Sequence, residues 1–164
     1  MKNFKHSIIL FIILMVIWIL LTSWETQELI AGLITSFLIA ILTYRLEPVL
    51  AAINLTPKAL LYSIAYIFVF AKELILSNLD VARRVLTPSL PLKPGIVKVN
   101  TKLKSKIGKL VLANSITLTP GTLTAEVKNG NLYIHWIDIK EEDVAGATQE
   151  IVAKFEKYLE VIFG

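Results

Sequence analysis

The chain has 164 residues, of which 55% are hydrophobic and 18% charged, with a formal net charge of +4. Soluble domains average about 45–50% apolar and about 25% charged residues, so this composition is typical of a membrane protein with at most one small domain. The chain has no cysteine and two histidines. This excludes disulfides, thiol catalysis, Cys-ligated zinc and iron–sulfur binding, and it argues against a His-based metal or acid–base site.

Two uncharged apolar runs, 7–21 and 29–44, open the chain. With its polar flanks each run reaches about 18–20 residues, which is long enough to cross a hydrocarbon core of ~30 Å. The runs are apolar on all faces, which favours membrane helices over a buried hairpin of a soluble protein. No small-residue cleavage site follows the first run, so we expect a retained segment and not a signal peptide. The sequence predicts an α-helical transmembrane hairpin over residues 1–46.

Basic residues near the two runs predict the orientation of this hairpin. Lys2 and Lys5 precede the first run, and Arg45 and Lys58 follow the second, whereas the loop 22–28 contains two acids and no base. Basic residues accumulate on the cytoplasmic side of membrane helices. Both ends of the hairpin are therefore expected in the cytoplasm, and the loop outside.

Residues 47–87 form a further apolar segment, either a long interfacial amphipathic helix or a third membrane helix. Thr56 and Pro57 predict its start, because Thr caps helices and Pro is favoured in the first turn. Thr87-Pro88 predicts its end. A third span would place the basic stretch that follows on the outside, so we favour a helix at the interface or packed on a partner, with a third span left open.

Lys72 and Glu73 are the only ionisable candidates at membrane depth in this segment. We interpret them as an interfacial pair that faces the lipid headgroups. The two apolar runs themselves contain no charged residue, so we do not expect this chain alone to pump or conduct ions.

Residues 88–164 predict a small α+β cytoplasmic domain behind a proline-rich hinge at 88–94. A domain of this size has a core that only just suffices, so we expect it to dock on a partner. The pattern predicts strands at 96–100, 115–118, 122–127 and 132–137, helices at 103–113 and 141–163, a Pro-Gly turn at 119–122 and an Asn-Gly hairpin turn at 128–131.

A basic stretch at 83–109 contains eight bases and no acid. It fits an anionic inner leaflet, an acidic patch on a neighbouring subunit, or a solvated positive face that maintains the topology. It lacks interleaved aromatic residues, so we do not expect nucleic acid as a partner. The bases are Arg83, Arg84, Lys93, Lys98, Lys102, Lys104, Lys106 and Lys109.

No catalytic motif stands out in the sequence. Ser63, Ser77 and Ser115 have no His or Lys at a recognisable motif spacing, and Walker, Rossmann and paired-carboxylate patterns are missing. His135 alternates with Tyr133 on one strand face and is interpreted as a structural residue. We therefore predict no catalytic residue, no cofactor-binding residue, no metal ligand and no enzyme activity of the chain's own.

Four segments resemble the MrpE/MnhE family, which comprises the E subunits of Mrp-type multisubunit Na+/H+ antiporters. They are NLDVARRVLTP at 78–88, KPGIV at 93–97, LANSITLTPGTLT at 112–124 and LYIHWID at 132–138. The resemblance covers essentially the whole chain, and the segment at 112–124 is long enough to be specific.

The resemblance implies membership of a large membrane complex whose bigger subunits move sodium and protons. Counterparts of MnhE resemble components of archaeal membrane-bound hydrogenase and related respiratory complexes. The family has no established catalytic residue in this subunit, so residues 115–124 are interpreted as a structural signature. We expect a multi-pass subunit in the cell membrane that is structural and non-catalytic, with other subunits and the lipid bilayer as partners. The alternative is a membrane-anchored adaptor that recruits a soluble or lipid partner through its basic stretch.

Overall fold

The computed structural model describes residues 2–43, 54, 56–141 and 143–164, with the side chains of the first helix from residue 7 onward. The chain forms two compact units, Met1–Ile53 and Asn54–Gly164. The sequence predicts three segments, 1–46, 47–87 and 88–164. The long helix of the middle segment packs on the last helix of the chain and belongs to the second unit.

The first unit contains two helices packed against each other, α1 (Lys2–Leu21) and α2 (Thr26–Leu42). Gly32, Ser36 and Ala40 recur every four residues on α2 and are buried. A Cβ on Gly32 would lie 2.6 Å from Cδ1 of Trp18, so the two helices approach too closely for any larger residue there. Small residues permit such an approach between apolar helices. The predicted end of the second apolar run, with Arg45, falls outside the described residues.

The second unit begins with α3 (Pro57–Leu86), which starts and ends where the sequence predicts. Thr56 caps the helix, since its hydroxyl accepts a hydrogen bond from the Ala59 amide at 3.1 Å. By length and composition alone, α3 is long and apolar enough to cross a membrane. The described apolar parts of the other two helices, Ser7–Leu21 and Thr26–Leu42, are shorter.

A three-stranded antiparallel sheet and three helices follow α3. The sheet has the order β1-β3-β2. Helix α4 packs on β2, α5 on β1, and α6 on both α3 and α4. The elements are β1 (Gly95–Asn100), α4 (Lys106–Leu118), β2 (Thr122–Lys128), β3 (Asn131–Trp136), α5 (Val144–Ile151) and α6 (Ala153–Phe163).

The core of the second unit lies between the sheet and these helices. Every second residue of β3 points into this core, and the helix residues that face it recur at helical spacing. The largest buried side chains are Val99, Leu103, Leu112, Ile116, Leu132, Ile134, Val152, Phe155 and Leu159. The predicted hairpin between β2 and β3 is confirmed: Asn129 (φ 51°) and Gly130 (φ 79°) are both left-handed, as a type I′ turn requires.

The strand predicted at 115–118 is wrong, because these residues form the last turn of α4. The short helix predicted at 103–113 in fact begins at Lys106 and runs on to Leu118. Leu112 and Ile116 are fully buried four residues apart on one face of this continuous helix. Helical burial therefore outweighs the local preference of Ile and Thr for strands.

The single helix predicted at 141–163 is also corrected, since the structure has α5 and α6 with a break at Val152. Asp143 caps α5, and its carboxylate accepts hydrogen bonds from the Ala145 and Gly146 amides at 3.1 and 3.0 Å. The break lets the two short helices pack on different partners, α5 on β1 and α6 on α3.

A buried carboxylate holds the loop between β1 and α4. Glu156 of α6 accepts a hydrogen bond from the Lys102 amide at 2.7 Å and another from the Thr101 hydroxyl. A buried carboxylate needs such donors to offset the loss of water. Glu156 therefore fixes the start of α4 relative to α6.

Candidate functional site

Helix α3 turns one side, aromatic in its first half and mostly polar in its second, toward the rest of the second unit. Its covered residues recur every three or four positions along the whole helix, a spacing that places them on one face. We call this face the α3 seam. It comprises Ala59, Tyr62, Tyr66, Phe70, Glu73, Ser77, Val81 and Arg84.

The opposite side of α3 is apolar and exposed. Phe68 is 72% exposed and Leu79 62% exposed. The sequence indicates one apolar face in the second half of α3, and the structure places that face away from the sheet and helices. The exposed apolar side chains are Leu60, Leu61, Ile64, Ile67, Phe68, Ile75, Leu76, Leu79, Val85 and Leu86.

The first half of the α3 seam is an aromatic contact with α6. The rings of Tyr62 and Tyr158 lie 6.0 Å apart, and Phe155 lies 6.5 Å from Tyr66 and 6.3 Å from Phe70. These distances are in the range in which aromatic pairs attract each other beyond simple burial. Tyr62, Tyr66 and Phe70 therefore hold α3 on α6.

Tyr66 also joins α3 to α4. The Ser115 hydroxyl donates to the Val111 carbonyl at 2.6 Å, so the neighbouring Tyr66 hydroxyl donates to the Ser115 oxygen. Ser115 opens the segment interpreted as a structural signature. Its side chain thus connects that segment to α3.

Glu73 does not face outward beside Lys72, as the sequence interpretation expects. Its carboxylate lies 3.0 Å from the ammonium of Lys154 on α6, and the Glu73 side chain is 22% exposed. Lys72 is exposed. The interpretation of the two as an interfacial pair is therefore wrong, because residues adjacent in a helix point about 100° apart and only Glu73 lies on the α3 seam.

Arg84 fastens the end of α3 to two other segments. Its guanidinium lies 2.7 Å from the carboxylate of Asp80 and 2.8 Å from that of Asp138, which follows β3. It also donates to the Pro91 carbonyl in the hinge at 3.0 Å. The planar guanidinium suits such multiple contacts, which a lysine could not reproduce.

The predicted turn at 119–122, which we call the signature turn, is confirmed. Gly121 has φ +96°, and the Thr122 amide donates to the Thr119 carbonyl at 3.4 Å. The Thr119 hydroxyl donates to the Ile116 carbonyl at 2.8 Å, and the Thr122 hydroxyl donates to the same carbonyl at 2.6 Å. The last carbonyls of a helix lack partners within it. The threonines therefore cap α4.

Two more threonines tie α4 to β2. The Thr124 hydroxyl donates to the Ala113 carbonyl at 3.0 Å, and the Thr124 amide donates to the Thr117 hydroxyl at 3.1 Å. The sequence predicts Thr117 and Thr119 as strand residues; they instead lie at the end of α4. Their hydroxyls make local hydrogen bonds, as the sequence indicates.

A pocket of about 320 Å³ lies between the α3 seam and the signature turn. Its charged groups include the Glu73–Lys154 pair and the Lys140–Glu150 pair, with an N···O distance of 3.7 Å in the latter. The pocket is lined by Glu73, Leu76, Ser77, Asp80, Thr119, Pro120, Thr122, Trp136, Lys140, Glu150, Ile151 and Lys154.

The three serines considered as nucleophiles lie on helices and donate to backbone carbonyls one turn earlier. Ser63 donates to Ala59 at 2.9 Å and Ser77 to Glu73 at 2.8 Å, as Ser115 does to Val111. His135 lies half-buried on β3, on the strand face opposite the core. Within the described residues, no three His, Asp or Glu side chains are grouped so that they could hold a metal ion.

The basic stretch divides into two kinds of residue. Arg84 is 14% exposed and held by Asp80 and Asp138, so its charge serves the α3 seam. Arg83 and Lys98 are exposed, as are several lysines before and within the start of α4. Sequence reasoning missed this division, because it depends on a partner, Asp138, that lies far beyond Arg84 in the chain.

Comparison with known proteins identifies the family. The family model MNHE, described as Na+/H+ ion antiporter subunit, matches residues 11–162. The chain belongs to the MnhE family. The resemblance found in the sequence is thus confirmed.

Several curated bacterial proteins are similar to this MnhE protein. The chain is 46% identical over 82 residues to the Na(+)/H(+) antiporter E subunit of Alkalihalophilus pseudofirmus, a match that spans 49% of this chain and 52% of that protein. It is 40% identical over 97 residues to the Bacillus subtilis E subunit, covering 58% and 60%. The matched region therefore spans about half of the first relative's length. The E1 subunit of Staphylococcus aureus (strain bovine RF122) is 33% identical over 143 residues, covering 84% and 87%.

A solved structure matches this MnhE protein over nearly its full length. It is a chain of the membrane-bound sulfane sulfur reductase, an archaeal respiratory membrane complex. The TM-score is 0.85 at 48% sequence identity, and the match covers 96% of this chain and 99% of that one. The fold described above is therefore shared with a component of a membrane complex.

Proposed function

We propose that this chain is a non-catalytic assembly subunit of a sodium/proton antiporter module within a membrane-bound respiratory complex. The proposal rests on one observation: the polar groups of the α3 seam and the signature turn make structural contacts within the second unit. Glu73 and Arg84 form ion pairs that hold α3 on the second unit, and Thr119 and Thr122 cap α4. The segments typical of the family thus build a scaffold.

The respiratory context is supported by a comparison of sequence identity and coverage between two of the matched proteins. The chain of the sulfane sulfur reductase is 48% identical over 96% of this chain, whereas the Staphylococcus aureus E1 subunit is 33% identical over 84%. The hydrogenase-type context expected from the sequence, in which an electron-transfer arm drives the ion module, is a respiratory context of this kind. A stand-alone antiporter is the second candidate, supported by the curated relatives.

The membrane anchor in this proposal is the pair α1 and α2. Helix α1 has 20 residues and α2 has 17, and 17–25 residues is about the range that spans a bilayer. Large apolar side chains such as Ile12, Leu33 and Phe37 are exposed on them, as lipid-facing residues would be. The second unit, with its exposed lysines, lies in the cytoplasm.

Purification from native membranes tests the assembly role. The chain carries an affinity tag after Gly164, and the membranes are extracted in a mild detergent. We expect several polytopic subunits to copurify, together with proteins that show iron–sulfur absorbance. Copurification of antiporter subunits without redox proteins would favour the stand-alone antiporter. Migration of the chain as a small species by itself would contradict the assembly role and favour the adaptor.

Reconstitution tests the non-catalytic part of the proposal. The purified chain is inserted alone into proteoliposomes, and sodium flux driven by a pH gradient is followed. We expect the flux of empty vesicles. Sodium flux above that of empty vesicles would show that the chain itself translocates ions, and the scaffold role would be wrong.

A further inference from the structure

We propose that α3 lies flat on the cytoplasmic membrane surface and does not cross the bilayer. The exposed apolar side of the helix enters an anionic lipid surface, and the α3 seam keeps its contacts with the rest of the second unit. This inference rests on the proposed function only in placing the chain in a membrane with its second unit in the cytoplasm. It names the partner of one surface, the outer side of α3, as lipid.

Helix α3 is covered by the second unit over most of its length. Contacts with the second unit begin at Tyr62, which meets Tyr158, and continue to Arg84, which meets Asp138. At ~1.5 Å per residue these contacts span roughly 33 Å, which is as long as the hydrocarbon core is thick. If α3 crossed the bilayer in this fold, the domain beside it would enter the hydrocarbon together with exposed lysines such as Lys98. Charges there are costly, so the crossing is disfavoured.

The charges on the exposed side of α3 are basic and lie along one edge. Lys58, Lys72 and Arg83 are exposed and separated by 14 and 11 residues, which at about 100° per residue places them along one edge of the apolar surface. The acids of α3, Glu73 and Asp80, pair with Lys154 and Arg84. The outward charge of α3 is therefore basic, as in helices that lie on anionic membranes.

Helix α3 exposes mostly large apolar residues. Helix–helix contacts within membranes are enriched in small residues, which let the backbones approach, and α2 shows this with Gly32, Ser36 and Ala40. The exposed side of α3 instead presents mostly large side chains, including Phe68 and Ile75, with Ala71 and Ala82 as its small residues. Such a surface suits acyl chains at the interface better than close contact with another helix.

Spin-label depth measurements on the full chain test this arrangement. The chain has no cysteine, so single cysteines can be introduced as Leu61→Cys, Phe68→Cys, Ile75→Cys and Leu86→Cys and labelled. The labelled chain is reconstituted into phosphatidylcholine vesicles that contain phosphatidylglycerol. Collisions with oxygen and with a water-soluble nickel complex then report the depth. Phe37→Cys in α2 serves as the deep reference, and Lys128→Cys at the hairpin tip as the aqueous reference.

We expect the same shallow depth at all four positions of α3. A depth that rises to a maximum in the middle of the helix, with Leu86→Cys accessible from the other side, would overturn the proposal in favour of a third span. Labels that stay in water at all four positions would overturn it in favour of a surface covered by other subunits. Neither outcome bears on copurification or sodium flux, so failure here is distinguishable from failure of the assembly role.

Lipid preference tests the contribution of the three bases. A fluorophore at Phe68→Cys is quenched by phosphatidylglycerol or phosphatidylcholine brominated on the acyl chains. Each base near an anionic surface strengthens attraction about five-fold, so we expect preferential quenching by the anionic lipid. With Lys58/Lys72/Arg83→Gln, we expect the anionic and the zwitterionic lipid to quench equally. With the matched change Lys98/Lys104/Lys106→Gln, we expect the preference for the anionic lipid to remain. Equal loss in both variants would show that the exposed bases of the second unit attract the lipid regardless of their position, and the role assigned to α3 would be wrong.

Discussion

The carboxylate of Glu73 and the ammonium of Lys154 form an ion pair with an N···O distance of 3.0 Å, although the two residues are 81 positions apart in the chain. The pair lies on the side of α3 that faces α6, while the opposite side of the helix is apolar and exposed. In a soluble protein the apolar side of a helix faces the core. The reversal in the second half of α3 indicates that its apolar side has a partner other than this chain.

The signature turn yields a prediction about stability. Gly121→Val should lower the free energy of unfolding by about 1–3 kcal/mol, because Gly121 has φ +96° and the new side chain would meet Ile137, 3.4 Å from the Cβ position. Gly130→Val is the matched control, since Gly130 also has a positive φ, 79°, but nothing lies within 4 Å of its Cβ position. Denaturant unfolding of the detergent-solubilised chain measures both. A loss at Gly121 no larger than that at Gly130 would show that packing at the turn is unimportant.

Because Thr119 and Thr122 cap α4, their replacement should affect assembly of the complex but not its transport activity. Thr119→Val and Thr122→Val each remove one of the two hydroxyls that donate to the Ile116 carbonyl, at a cost of about 0.5–1.5 kcal/mol. We expect less assembled complex and unchanged sodium transport per assembled complex. Thr119→Ser keeps the hydroxyl and is the control. If either valine variant assembled fully yet lost transport, the turn would be a functional site and not a scaffold.

The sequence predicted the local features of this fold because each depends on residues close together in the chain. Thr56-Pro57 marks the start of α3, Asn129-Gly130 the hairpin and Pro120-Gly121 the signature turn, each through a backbone preference of its own residues. The strand predicted at 115–118 fails because Ile116 is fully buried at helical spacing, and only the tertiary fold determines that burial.

The orientation of α3 could not be predicted from its own sequence. An apolar face ordinarily marks the buried side, and the residues that reverse this, Glu73 and Arg84, do so through partners far along the chain, Lys154 and Asp138. The same long-range contacts divide the basic stretch into Arg84, which is used internally, and Arg83, which is exposed. From the sequence pattern alone, Arg83 and Arg84 receive the same interpretation.

Arg84 should be required for the end of α3 to stay in place. Arg84→Lys keeps the charge but loses the planar guanidinium, which contacts Asp80, Asp138 and the Pro91 carbonyl at the same time. We expect a loss of about 1–2 kcal/mol and faster amide hydrogen exchange over residues 80–88. Arg83→Lys, at the exposed neighbour, is the control and should leave exchange unchanged. Equal exchange in both variants would mean that the ion pairs of Arg84 do not hold the helix end.

Acid should loosen the same contact. The hydrogen bonds from Arg84 hold the pKa of the Asp80 carboxyl below its ordinary value of 3.8. A lowered pKa in the folded state means that Asp80 contributes stability above its ordinary pKa, and that this contribution is lost as the pH falls through the lowered value. A spin label at the exposed Val85→Cys should therefore gain mobility below pH 3.8. Asp80→Asn removes the titrating group, so an acid-induced step of the same size in that variant would assign the change to another residue.

The topology of the chain gives the last prediction. Two cytoplasmic ends and an external loop follow from the bases Lys2 and Lys58 on one side and the acids Glu25 and Glu28 on the other. In intact cells an impermeant thiol reagent should label Ser23→Cys in the loop, but neither Asn54→Cys nor Lys128→Cys. Lys128 is chosen because its side chain is 65% exposed, whereas the neighbouring Asn129 has a positive φ that cysteine tolerates poorly.

The parent chain, which has no thiol, gives the background of this labelling experiment. Disrupted cells should label at all three positions, which shows that each introduced cysteine is reactive. Labelling of Lys128→Cys in intact cells would place the second unit outside. The basic edge of α3 would then face the outer leaflet, and both the cytoplasmic orientation and the membrane-surface arrangement of α3 would be wrong.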